Sequence, residues 1–174
     1  MVPRKTWNEK LHPESGLPKV VRTTGSKRLR KLGLNTMVVP APAEVDEIMR
    51  GVGEGKLITT DTIRRILADI HGTATACPLT TGLFTIIAAF ASEERAQEGK
   101  GDPTPYWRTL KAGGELNDRY PGGVENQKAL LEAEGHRVVR RGKRWLVENH
   151  EDALVSGPGL APRANKKVVP HGRS

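Results

Sequence analysis

Cysteine is nearly absent from this 174-residue chain: Cys77 is the single one. An intramolecular disulfide is thereby excluded, and so is a cysteine-rich zinc site. The five histidines (12, 71, 136, 150 and 171) show no ligand spacing, so neither a metal nor a cofactor is expected. Aromatic residues are scarce, at 4%, which predicts a modest, mostly aliphatic core. The longest apolar run, Leu83 to Ala91, is interrupted by Thr85 and is far shorter than the ~20 residues a membrane span needs. The amino terminus is charged and holds Pro3, unlike a secretory leader. These absences predict a soluble intracellular protein without a membrane partner; it is expected to be cytoplasmic, associated with the nucleoid, and monomeric. No phosphate loop of Walker or Rossmann type is expected either: Gly51-Val52-Gly53-Glu54-Gly55 lacks the Lys-Ser/Thr that must follow.

Acidic residues are missing where basic ones gather. Residues 1–36 carry nine Lys/Arg against Glu9 and Glu14, and residues 156–174 carry four Lys/Arg and no acid. The intervening residues are slightly acidic, so the net charge of +8 lies in the two ends. Both ends are rich in Pro, Gly and Ser without apolar periodicity. They read as basic flexible arms, over 1–42 and 151–174, around a domain at 43–150. Basic arms are drawn to polyanions through counterion release. DNA is the expected partner, with RNA on a ribonucleoprotein as the alternative.

Within 43–150 the apolar spacing predicts four helices. Val45, Ile48, Met49 and Val52 mark the first; Ile63, Ile66, Leu67 and Ile70 mark the second, capped by Thr59 or Thr60. The third begins at Pro78 and ends near Gly99. The fourth runs from Val124 to the stop at Gly135. Trp107 to Leu110 reads as a short strand, and Val138-Val139 with Trp145-Leu146-Val147 as a hairpin around a basic turn. The expected class is mainly α with a small β wing, a winged helix-turn-helix.

The motifs Thr104-Pro105-Tyr106-Trp107-Arg108-Thr109-Leu110, Gly113-Gly114, Tyr120-Pro121-Gly122-Gly123 and Leu130-Leu131-Glu132-Ala133-Glu134-Gly135-His136 resemble the DNA-binding domain of O6-alkylguanine-DNA alkyltransferases. The resemblance spans about residues 43–136. It implies a winged helix-turn-helix that accepts an extruded base in a pocket at Pro105, Tyr106, Trp107, Arg108, Tyr120, Gly122, Gly123 and Glu134. It implies DNA contacts from Thr59, Thr60, Thr62, Arg64, Arg65, Thr80, Thr81 and Thr85; beyond its span, the basic cluster Arg140, Arg141, Lys143 and Arg144 beside Trp145 is itself expected to contact phosphate. The family's reactive cysteine, however, is here Tyr106, and its proton-relaying histidine is Trp107. Thr60 stands where the family has a phosphate-rotating Tyr, and Thr85 or Ile86 where it has a gap-filling Arg.

A phenol of pKa ~10 is protonated at neutral pH and is a poor alkyl acceptor. The resemblance therefore implies the cysteine-less alkyltransferase-like proteins, which bind alkylated DNA without repairing it and have no catalytic residue. Tyr106 departs from the Trp or Ala usual at that position in them. The alternative is a methylated-DNA–protein-cysteine methyltransferase that uses Cys77, whose sequence surroundings hold no base within five residues.

Overall fold

The computed structural model describes residues 3–155. The chain is mixed α/β, with helices predominating. Among the described residues there are six α-helices: α1 (Trp7–Leu11), α2 (Lys27–Lys31), α3 (Pro42–Arg50), α4 (Thr60–His71), α5 (Pro78–Gln97) and α6 (Gly123–Ala133). The described residues also hold seven short strands in three small sheets: β1 (Lys19–Arg22), β2 (Thr36–Val39), β3 (Ile58–Thr59), β4 (Thr75–Ala76), β5 (Thr109–Leu110), β6 (Val138–Arg141) and β7 (Arg144–Val147). Among the described residues no helix is long and apolar enough to cross a membrane.

Each central helix begins and ends where its sequence says it should. Pro42 opens α3, and the Glu44 carboxylate accepts from Ala41 N–H at 2.8 Å. Thr59 caps α4, its Oγ1 accepting from Thr62 N–H at 3.3 Å, and Gly72 closes that helix in the left-handed conformation. Pro78 opens α5, which buries Phe84, Ile86, Ile87, Ala88, Ala89 and Ala91 against α3 and α4. Two of its leucines lie outside that core: Leu79 is 79% exposed and Leu83 42%. A second cluster of Leu57, Leu110, Leu116, Leu131, Val138 and Val147 sits beneath the β6–β7 hairpin. Trp107 packs against both clusters and joins them.

Two expectations about the ends need correction. The segment read as an arm at 1–42 holds α1, β1, α2 and β2. Its apolar residues are too few and too scattered to show a period, yet each finds a place. Leu11 and Val38 are fully buried, and Trp7 stacks on Phe90 with ring centroids 4.6 Å apart. Strand β1 runs antiparallel to β2, and β2 runs parallel to β4. At the other end, residues 151–155 belong to the domain: Leu154 bridges Leu57, and Val155 N–H donates to Leu57 C=O at 2.8 Å. The rest of the expected tail, 156–174, lies outside the described residues. The expected strand at 107–110 is a 3₁₀ turn at Tyr106–Arg108 followed by β5, which pairs in parallel with β3.

Candidate nucleic-acid interface

The residues expected to form a base pocket come together, but as a packed junction. Tyr106 is 1% exposed and Tyr120 2%. Their rings meet edge to face at 5.6 Å, and Trp107 meets Tyr106 in the same way at 5.5 Å. Neither tyrosine presents an open face in this packed arrangement, and Pro105 is buried beside them. Gly122 is exposed and Gly123 half-buried. Gly122 has φ +74°, and a Cβ there would lie 2.5 Å from Asn126 Cβ, so the turn into α6 requires glycine.

Tyr106 Oη donates to Glu93 Oε1 at 2.7 Å and accepts from Asn126 Nδ2 at 3.0 Å. Burial, reinforced by Glu93, pushes this phenol well above its ordinary value. Burial likewise pushes Tyr120 up to about 12, offset in part by Thr85 and Asn117 nearby. Both phenols therefore stay protonated throughout the physiological range.

Beside them Glu134 gathers three partners. Arg108 donates to it through Nε and Nη2, at 2.9 and 2.6 Å to Oε1; Trp107 Nε1 donates at 2.9 Å and Gly55 N at 3.2 Å. Burial alone would raise the Glu134 carboxyl, but hydrogen bonds from Arg108, Trp107 and Gly55 outweigh it and hold the group below the ordinary range. Arg108 also donates to Val52 C=O at 2.6 Å. One carboxylate thus ties the end of α6 to the 3₁₀ turn and to the loop after α3. Trp107 occupies the position expected of a relay histidine, but its ring nitrogen only donates.

The structure separates the expected DNA-contact residues into two groups. Thr59, Thr62, Thr81 and Thr85 are buried. Thr59 and Thr62 bond each other at 3.1 Å, and Thr85 donates to Gly82 C=O at 2.7 Å. The Thr59 and Thr62 hydroxyls serve the start of α4 and the Thr85 hydroxyl turns back onto α5 itself, whereas Thr81 Oγ1 is buried with no hydrogen-bond partner among the described residues. Arg64 is also internal in function: Nε donates to Ala76 C=O at 3.0 Å and Nη2 to Thr75 Oγ1 at 3.1 Å, binding α4 to β4. Thr60 and Thr80 are half-buried, and Arg65 is exposed with a bond to Thr62 Oγ1.

The hairpin is open. Register pairs Arg141 with Arg144 across the turn at Gly142, so Arg140, Arg141, Lys143 and Arg144 are all exposed at one tip. Arg144 reaches Glu115 at 3.3 Å; Arg141 and Lys143 take part in no ion pair among the described residues. Lys128 and Arg140 lie over the Trp145 ring, at 4.8 and 5.8 Å from its centroid. Lys128, on α6, adds a cation that the sequence alone did not connect to the hairpin.

Cys77 is the residue before α5 and is partly exposed. Burial pushes its thiol up, but hydrogen bonding from Thr80 and Leu79, with Arg64 nearby, brings it below its ordinary value.

Glu93, Asn126 and Gln127 were not legible as site residues. Gln127 is fully buried in α6; it accepts from Asn117 N–H at 2.8 Å and donates to Trp107 C=O at 3.1 Å, fixing the 3₁₀ turn against the helix. The available signal is positional: Asn126 and Gln127 fall in the first turn and a half after a glycine-opened helix, where side chains face the preceding loop.

No protein-family model matches the chain. No curated protein matches it. Among solved structures, the crystal structure of S. pombe Atl1 in complex with damaged DNA containing O6-carboxymethylguanine is similar, at 17% identity and a TM-score of 0.46, covering 67% of this chain and 94% of that one.

Proposed function

We propose that this chain binds duplex DNA through its phosphates and transfers no alkyl group, with α4 and α5 as the helix pair of a winged helix-turn-helix and β6–β7 as its wing. The observation that carries the reading is the hairpin tip, where four exposed cations project from a strand pair anchored by buried Val138 and Val147. Phosphate oxygens bind guanidinium and ammonium groups by charge-assisted hydrogen bonds without reading sequence. The absence of transfer follows from the junction. Tyr106 is buried, protonated and already bonded to Glu93, and Trp107 cannot take up a proton.

Recognition of an extruded O6-alkylguanine is the narrower part of the proposal. It requires the Tyr106–Tyr120–Trp107 contacts to part, because the unstacked base needs the volume those rings fill. Gly122 is the exposed edge at which such an opening begins.

Binding of one labelled duplex, with and without O6-methylguanine, tests both parts. Tighter binding than to a structured RNA at matched salt is expected, and the modified guanine remains chemically intact. RNA outcompeting the duplex overturns the DNA reading. Equal affinity for the two duplexes removes the lesion preference and leaves general DNA binding. Methyl label appearing on Cys77 and lost in Cys77→Ser makes the chain an acceptor enzyme, a reading to which the lowered thiol lends its one support.

A further inference from the structure

Between Glu14 and Glu44 the sequence contains six Lys/Arg and no acid. All six (Lys19, Arg22, Lys27, Arg28, Arg30 and Lys31) are exposed, and none enters an ion pair among the described residues. They are carried by a built unit, β1–α2–β2, in which the two strands pair antiparallel over four residues each. The unit is fastened to the turn between α4 and α5. Val38 is fully buried, β2 pairs with β4, Ala74 N–H donates to Thr36 Oγ1 at 3.1 Å, and Cys77 N–H donates to Val38 C=O at 2.9 Å. On its other side β4 is held by Arg64.

Resting on the DNA-binding reading above, we infer that β1–α2–β2 is a second phosphate-binding surface, which extends the nucleic-acid footprint sideways from the turn of the helix pair. Its concave side is a cavity of about 680 Å3 lined by Arg22, Thr23, Thr24, Arg30, Asn35 and Thr36 among others. Guanidinium, hydroxyl and carboxamide groups there match the acceptor oxygens of a phosphodiester chain. A bilayer surface asks for a continuous apolar helix face, whereas α2 holds cations at four of its five positions, around Leu29 alone. Six unpaired like charges held close together repel one another, and a polyanion relieves that repulsion. No acidic side chain among the described residues does so.

The test uses the full chain and the substitutions Arg22→Gln, Lys27→Gln, Arg28→Gln and Arg30→Gln combined. Fluorescence anisotropy follows binding to a duplex of about one helical turn (~10 base pairs) and to one three times longer, across a salt series. On the long duplex the slope of log K against log salt is expected to flatten by roughly 2–3.5 units, at ~0.9 per lost contact. On the short duplex, which fills only the primary site, the change is expected to be smaller. A retained far-ultraviolet circular dichroism spectrum and melting midpoint show that the substituted chain is folded. As a second measurement, photocrosslinking from a probe attached at Lys31→Cys in a Cys77→Ser background is expected to mark the long duplex. Unchanged slopes together with no crosslink overturn the second surface while leaving DNA binding intact. Loss of binding to anionic phosphatidylserine vesicles, with duplex binding unchanged, also overturns it in favour of a membrane surface. A wild-type chain that binds neither duplex overturns the underlying reading instead.

Discussion

An indole N–H donates a hydrogen bond and accepts no proton, and this decides what the Glu134 junction does. Trp107 keeps Glu134 oriented at 2.9 Å but passes nothing onward. Restoring a thiol alone with Tyr106→Cys is therefore expected to produce no methyl transfer from an O6-methylguanine duplex, measured by label on the protein. It is also expected to cost about 3 kcal/mol in stability, because the ring's volume is left empty. Glu134 itself is structural. Its pair with Arg108 is closely enclosed, at 9% and 13% side-chain exposure. Glu134→Ala leaves that guanidinium buried without a counter-charge, at an expected cost of ~3–5 kcal/mol in urea unfolding. The double variant Arg108→Met/Glu134→Leu is expected to recover most of that loss. The carboxyl is depressed in the folded state, so its contribution is complete above the ordinary carboxylate value of 4.5 and is lost as pH falls toward the folded value. Acid unfolding of the wild type is expected to be steeper below that point than that of the double variant.

At the scale of elements, the docking of α1 shows how charge substitutes for helix length. Five residues make a marginal helix. Thr6 and Glu9 form a reciprocal capping box, and the Glu94 carboxylate on α5 accepts from Trp7 and Asn8 N–H at 3.1 and 2.8 Å. Burial raises the Glu94 carboxyl, but these bonds from Asn8 and Trp7 lower it further. The docking is thus expected to weaken as pH drops below 4.5. A red shift of tryptophan emission that Trp7→Phe abolishes, and that Glu94→Gln shows already at neutral pH, is the check.

The central elements were legible because their apolar period and their Pro, Thr and Gly boundaries agree. Helices α3 to α6 fall within a residue or two of expectation. The amino-terminal elements were not legible, since their anchors bury against partners far along the chain and leave no local period. The junction was half legible. The motif order grouped Tyr106, Trp107, Arg108 and Glu134, but nothing local tells a packed tyrosine from an open one. Which threonines face inward was also hidden, because a capping hydroxyl and a phosphate-binding one look alike in sequence.

Across the whole molecule, distant segments close the fold. Leu57, fully buried, is bridged by Leu154 and receives a hydrogen bond from Val155. A chain ending at Asn149 is expected to melt well below one ending at Val155, with greater dye-accessible apolar surface around Leu57 and Leu110, measured by thermal scanning and ANS fluorescence. Closure at such separations also bears on synthesis in time. Asn8 and Glu94 lie 86 residues apart, so at typical translation rates of ~5–20 residues per second roughly 4 to 17 s separate the making of α1 from the making of its dock. During that interval Trp7 lacks the Phe90 ring on which it stacks, and the backbone of α1 lacks the Glu94 carboxylate. Helix α1 is therefore made well before the part of α5 that fixes it, and a pause before residue 94 prolongs the period in which its apolar side chains are open to chaperones or to other nascent chains.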